Sequence, residues 1–182
     1  MTQPGCVLSV IVCGAGPASD VGKLVKLAQQ RVWTVQLIAT PAALAFLDVA
    51  GLEALTGSVV RSAYASPGEP RSLKADAVIV APATYNTINK CARGISDTYA
   101  LGILAEAISL PSPVVILPFV NSALAARRPF QRAVAQLRDE GVSVLLGPGQ
   151  FEPHPPGTGD RQLDIFPWHL ALDAAEQLVY GK

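Results

Sequence analysis

Charge is scarce in this chain of 182 residues, and so are aromatic rings. Asp, Glu, Lys and Arg make up 15% of it and aromatics 6%, while 14 basic and 14 acidic side chains cancel. A balanced chain lacks the positive field that neutralises phosphates, so no nucleic-acid partner is expected. Histidine occurs only as His154 and His169. Ser9, Ser19 and Ser96 therefore have no histidine at the positions a hydrolase triad would use. Cysteine occurs as Cys6, Cys13 and Cys91, an odd number without metal-ligand spacing. No metal site is expected, and free thiols fit a reducing cytoplasm. No apolar run reaches the ~18 residues of a membrane span. No basic stretch precedes the first apolar run, so that run reads as a strand and not as a signal peptide.

What is abundant is aliphatic: half of the residues are apolar. That content, without net charge, excludes disorder. The length suits one domain over residues 1–182. The pattern alternates β-branched runs with amphipathic stretches. Val7–Val12 reads as a strand buried on both faces, and Thr34–Ala39, Ala77–Ala81, Val114–Leu117 and Val142–Leu146 read as further strands. Helices are expected over Asp20–Arg31, from Pro41 to about Leu47, near Leu52–Leu55, from Asn86 to about Ser109 with a bend near Gly94, over Pro129–Glu140 and over Pro167–Val179. Residues 65–74 read as a loop. Residues 147–162, rich in Gly and Pro, read as a flap without a core of its own. The alternation predicts a three-layer α/β, Rossmann-like (flavodoxin-like) fold, a parallel sheet flanked by helices. Ligands of such sheets sit beyond the C-terminal strand ends.

Two of those ends carry chemistry. Cys13-Gly14-Ala15-Gly16-Pro17-Ala18-Ser19 is a Gly-containing strand-to-helix turn, able to cradle a phosphate or simply to turn tightly. It is not a complete dinucleotide fingerprint, because Ser19 stands at the third glycine and no acidic residue follows the second strand. At the third strand, Pro82-Ala83-Thr84-Tyr85-Asn86-Thr87 places Thr84, Asn86 and Thr87 at a helix start, as caps or as contacts to a polar ligand. Cys91 sits between Lys90 and Arg93, whose charges could lower its pKa; a buried core cysteine is the alternative.

The stretch Ala75–Lys90, with Gly94 and Asp97, closely resembles the flavoprotein family of homo-oligomeric flavin-containing cysteine decarboxylases, which includes the phosphopantothenoylcysteine and lantibiotic peptidyl-cysteine decarboxylases. The family's Pro-Ala-Ser-Ala-Asn-Thr is matched with Thr84 for Ser and Tyr85 for Ala. Cys13-Gly14-Ala15 stands where the family shows Thr-Gly-Ser. Pro118-Phe119-Val120-Asn121-Ser122-Ala123-Leu124 looks like a degraded Pro-Ala-Met-Asn-x-x-Met. The resemblance implies an FMN site between protomers of a trimer, or of a dodecamer built of trimers. It implies that Gly14 and Ala15 lie at the phosphate-side loop and Thr40 at the end of the second strand. Thr84, Asn86 and Thr87 would contact the flavin or its phosphate, Phe119 would approach the ring through its backbone, and Asn121 would bind the carboxylate of a small or peptidyl substrate, unless it is only a cap.

The departures matter as much. The family's decarboxylases carry a catalytic histidine before the third strand; this chain has Gly68–Lys74 there and no histidine. Glu69, Arg71, or His154 swinging in on the flap, are the candidates to replace that base. No cysteine follows Cys91, so the resemblance points to the oxidative type of the reaction, in which a thiol-bearing carboxylate is oxidised and then loses carbon dioxide. Three readings follow: an FMN-dependent decarboxylase, an FMN-binding partner or regulatory protein without activity, and a flavin prenyltransferase-like enzyme.

Overall fold

The computed structural model describes residues 5–65, 68 and 72–181. Glu69 and Arg71 lie outside the described residues. The elements are β1 (Val7–Val12), α1 (Gly22–Gln30), β2 (Thr34–Ala39), α2 (Val49–Thr56), β3 (Ala77–Ala83), α3 (Tyr85–Ala92), α4 (Tyr99–Ile108), β4 (Val114–Pro118), α5 (Ser122–Ala125), α6 (Arg128–Asp139), β5 (Ser143–Val144) and α7 (Trp168–Tyr180). Tight 3₁₀ turns occupy Gly16–Asp20, Pro41–Phe46 and Gly159–Gln162.

The five strands are all parallel, in the order β2-β1-β3-β4-β5. Continuous apolar runs form them because both sheet faces are covered. Alternate residues serve opposite layers. Leu8, Val10 and Val12 of β1, with Ile79 of β3 and Val115 of β4, pack toward α1 and α7. Ile11, Val78, Val80 and Ile116 pack toward α3, α4 and α6. The expected three-layer α/β, Rossmann-like fold is therefore what the chain adopts.

The helix expected from Pro41 to about Leu47 is a 3₁₀ helix over Pro41–Phe46, and three further expectations shift in detail. The helix expected from Asn86 to Ser109 is two helices: Gly94 adopts φ +69°, and Thr98 caps the second by accepting from Leu101 N at 3.3 Å. The expected fifth strand pairs over only Ser143–Val144, because Gly147 N bonds Phe151 O and the chain turns back. The helix start near Asp20 is a 3₁₀ turn with Pro17 at its head. Among the described residues no helix is long and apolar enough to cross a membrane.

Candidate functional site

In a sheet of this order the chain steps outward from β1 in both directions, so the loops after β1 and β3 part and leave a crevice. A cavity of about 320 Å³ lies there, lined by Gly14, Thr40, Pro41, Ala42, Thr84, Asn86, Thr87, Lys90, Thr98 and Leu101. It collects four hydroxyls, one amide and one ammonium. It also takes the N-termini of α3 and α4, whose caps are Thr84 and Thr98. Unpaired N–H groups and the helix dipoles make such an end favourable for an anion.

Close packing shapes the crevice. A Cβ on Gly14 would lie 2.7 Å from the Ala42 carbonyl oxygen, so only glycine lets the β1 loop approach the turn that follows β2. Under the floor, Cys13 is fully buried, and burial pushes its thiol above the usual range. It stays protonated and donates to Thr87 Oγ1 at 3.3 Å. Thr84 Oγ1 also donates to Thr87 Oγ1, at 3.0 Å, while accepting from Thr87 N at 3.3 Å. Thr87 Oγ1 thus accepts twice, and its own proton is left for the cavity. Asn86 is exposed at the rim, and its amide has no hydrogen bond among the described residues. Lys90 stands one turn below Asn86 and pairs with Asp97 at 2.5 Å.

The end of β4 is built differently. Phe119 N donates to Ala83 O at 2.9 Å, holding the β4 loop beside the start of α3. The Phe119 ring lies 4.7 Å from His154, 5.8 Å from Phe166 and 6.1 Å from Phe151. Asn121 accepts from Leu124 N at 2.9 Å and so caps α5; its amide nitrogen has no partner there. Asn121 and His154 form a parallel bridge, and Ser122 N donates to His154 O at 2.7 Å. Segment 147–162 therefore folds down onto the strand end, and His154 is already tucked in, 8% exposed. Burial holds its imidazole below the usual value.

Gly14, Thr40, Thr84, Asn86 and Thr87 thus meet around one cavity. Ala15 does not line it, and its N–H is turned onto Cys13 O at 2.9 Å. Phe119, Asn121 and His154 form the neighbouring cluster. Lys90 and Thr98 were missed by the sequence reading, although Lys90 follows Asn86 at a helical spacing of four that puts both on one face. Cys91 is no activated thiol: burial pushes it up to about 11. His169 is exposed on α7. Among the described residues no cluster of side chains suits a metal ion.

The chain is similar in sequence and fold to known proteins. The chain is 27% identical over 155 residues to the coenzyme A biosynthesis bifunctional protein CoaBC of Escherichia coli (strain K12), covering 81% of this chain and 37% of that protein. It thus spans little more than a third of that relative. The structure of the FMN-dependent cysteine decarboxylase SpaF superposes with a TM-score of 0.69 at 26% identity, over 94% of this chain and 98% of that one. The epidermin biosynthesis protein EpiD from Staphylococcus aureus gives 0.66 at 25%, over 76% and 81%. The family described as Flavoprotein matches residues 3–159, and with the parallel sheet and the crevice at its switch point this places the chain in the Flavoprotein family.

Proposed function

We propose that this chain binds FMN in the crevice between β1 and β3 and acts, like the cysteine decarboxylases it resembles, on a small or peptidyl carboxylate that carries a thiol. The observation that carries the proposal is the donor set of the cavity. A phosphate dianion fits the hydroxyls of Thr40, Thr87 and Thr98, the Asn86 amide, which has no partner among the described residues, the Lys90 ammonium beside Asp97, and two helix N-termini, and no carboxylate is among the lining residues. FMN, when bound, supplies a two-electron acceptor beside the substrate. The chain's own part is to hold and orient. Thr84, Asn86 and Thr87 grip the phosphate side. Gly14 and Ala15 form the loop above it, Thr40 closes the β2 end, and Phe119 walls the ring side. Asn121 turns its free amide nitrogen to the substrate carboxylate. Assembly as a trimer, or as a dodecamer of trimers, belongs to the same proposal and is supported by exposed apolar side chains such as Val59, Tyr64 and Leu73. So does a cytoplasmic setting, which three free cysteines suit.

The lack of any histidine before His154 favours a second reading, an FMN-binding partner or regulatory protein that does not turn substrate over. The visible spectrum of the purified protein, with chromatography of the heat-released chromophore, tests the first step. Near-stoichiometric FMN is expected; a colourless protein that takes up no added FMN overturns both readings. Carbon dioxide release from peptides ending in cysteine then separates enzyme from partner. The mass of the released flavin separates both from a prenyltransferase-like enzyme.

A further inference from the structure

Two buried side-chain polar atoms have no hydrogen-bond partner among the described residues: Trp168 Nε1 and His154 Nδ1. The indole lies at the start of α7, in the core that this helix shares with α1, and stands edge-on to Phe166 at 4.8 Å. The imidazole lies at a strand end, beside the crevice. Leaving such a nitrogen unpaired costs about 1–3 kcal/mol, and native structures tolerate few.

Its neighbours say what the nitrogen faces. The parallel bridge sets His154 and Asn121 about 4.8 Å apart with their side chains on the same face. Asn121 Oδ1 is engaged with Leu124 N, and the Nδ2 of this half-buried side chain has no hydrogen bond among the described residues. The Phe119 ring lies against the imidazole, and Gly159 abuts the edges of both rings: a Cβ there would lie 3.3 Å from His154 Nε2 and 3.6 Å from Phe119. No ion pair reaches the ring, and only burial perturbs it, so it is neutral near pH 7. Two neighbouring side chains thus each hold one unused nitrogen, an amide donor and an imidazole able to accept.

We infer that His154 is the proton acceptor of this chain, taking the thiol proton of a substrate whose carboxylate is held by Asn121. The inference rests on the reading of the protein as a decarboxylase-like flavoprotein and names the base within it. The S–H bond breaks, the proton moves to Nδ1, and the electron pair stays on sulfur; a neutral thiol and a neutral imidazole become a thiolate and an imidazolium. Because Nδ1 is enclosed, segment 147–162 must part from Phe119 to admit the thiol. The base would then arrive on the segment that covers the substrate, from the opposite end of the chain to the stretch before β3.

The test uses histidine labelled with ¹⁵N in the full-length protein, after incubation with FMN. His154 and the exposed His169 are followed by NMR while a tripeptide ending in cysteine is added at pH 7. The same tripeptide ending in serine is the control. The inference expects the His154 Nδ1 resonance to shift with the cysteine peptide alone, as the neutral ring accepts the S–H, and His169 to stay put. A His154 signal that ignores the cysteine peptide, or answers both peptides equally, overturns it. In parallel, His154→Gln is expected to keep its FMN and lose about 10²–10⁴-fold in carbon dioxide release, together with the acidic limb of the pH profile. His169→Gln is expected to leave both unchanged. A His154→Gln rate within about threefold of the parent also overturns it. Failure of the FMN reading shows separately, as a protein that stays colourless before any peptide is added, and the NMR comparison decides the role of His154 in that case as well.

Discussion

The two strand ends that flank the crevice solve opposite problems. At β3, polar atoms are paired with one another in a chain running from Cys13 through Thr87 to Thr84, and the spare donors face open space. At β4, rings enclose the imidazole nitrogen of His154, which the fold leaves unsatisfied among the described residues. In the first region stability and ligand binding share the same hydroxyls, so a substitution there should damage both. In the second the unsatisfied group works against stability, so removing it should help the fold and harm the chemistry. The sharpest way to break the first half of the contrast is Gly14→Val. Its Cβ would meet backbone, not a side chain that can swing aside. Overpacking of this kind costs about 1–3 kcal/mol, roughly 2–12 °C in Tm at this chain length. FMN affinity should fall as well, and a binding loss of about 1.4 kcal/mol would read as tenfold. Normal FMN content in Gly14→Val would separate the crevice from the cofactor.

Thr87→Val comes next. It strips the acceptor from both the Cys13 thiol and the Thr84 hydroxyl while keeping the side-chain volume. Each donor left unpaired in a buried setting costs about 1–3 kcal/mol, and both Tm and FMN affinity should drop. Thr84→Ser, which keeps the cap hydroxyl, should change neither by much. If Thr87→Val lowers Tm and leaves FMN affinity intact, the chain of hydroxyls is structural only.

His154→Phe carries the opposite sign. It keeps a ring against Phe119 and deletes the orphan nitrogen. Tm should rise by about 2–4 °C, the equivalent of roughly 1 kcal/mol, while carbon dioxide release falls. The pH dependence follows from linkage. In the folded chain the His154 pKa lies below its ordinary 6.5 because burial penalises the cation. Above 6.5 the ring is neutral in both states and the penalty is absent. As pH falls from 6.5 through the folded value, the unfolded chain takes up the proton first and the native state loses stability. Thermal melts across that window should show a decline in the parent that is smaller in His154→Phe, with His169→Gln as the exposed control.

How far all this could be read from the sequence divides along the same line. Val7–Val12 was legible to the residue because both its faces are buried and the run is continuously apolar; Thr34–Ala39 was legible because β-branched and aliphatic residues flank the one polar position inside it, Gln36. The capping pattern Thr84-x-Asn86-Thr87 was legible because hydroxyl and amide groups at a helix start have few other uses. The β4 end was not. Phe119, Phe151, His154, Phe166 and Trp168 follow no period, and only the turn at Gly147 and the bridge at Asn121 bring them together. The flap was visible as composition, but not where it lands. Asn121 left two roles open, and the structure shows one carried by Oδ1 as the cap, with Nδ2 left over. Leu146, expected in β5, instead bridges Phe151, a contact no local pattern announces.

The smallest stability effect is also the most selective probe of the crevice. Lys90 and Asp97 form a partly exposed pair, at 28% and 50%, and such pairs contribute about 0–1 kcal/mol. Lys90→Gln should therefore leave Tm within about 4 °C of the parent. Its side chain still lines the cavity one turn below Asn86, and the loss of one positive charge should weaken an anion held there. Titration with FMN at several salt concentrations should show affinity lowered severalfold at low ionic strength, with a shallower salt dependence than the parent, because the deleted attraction is the part that salt screens. Riboflavin, which lacks the phosphate, should bind parent and variant alike. Equal losses for FMN and riboflavin would mean that Lys90 shapes the cavity and does not read the phosphate. The anion would then have to be held by the helix ends at Thr84 and Thr98 and the uncharged donors beside them.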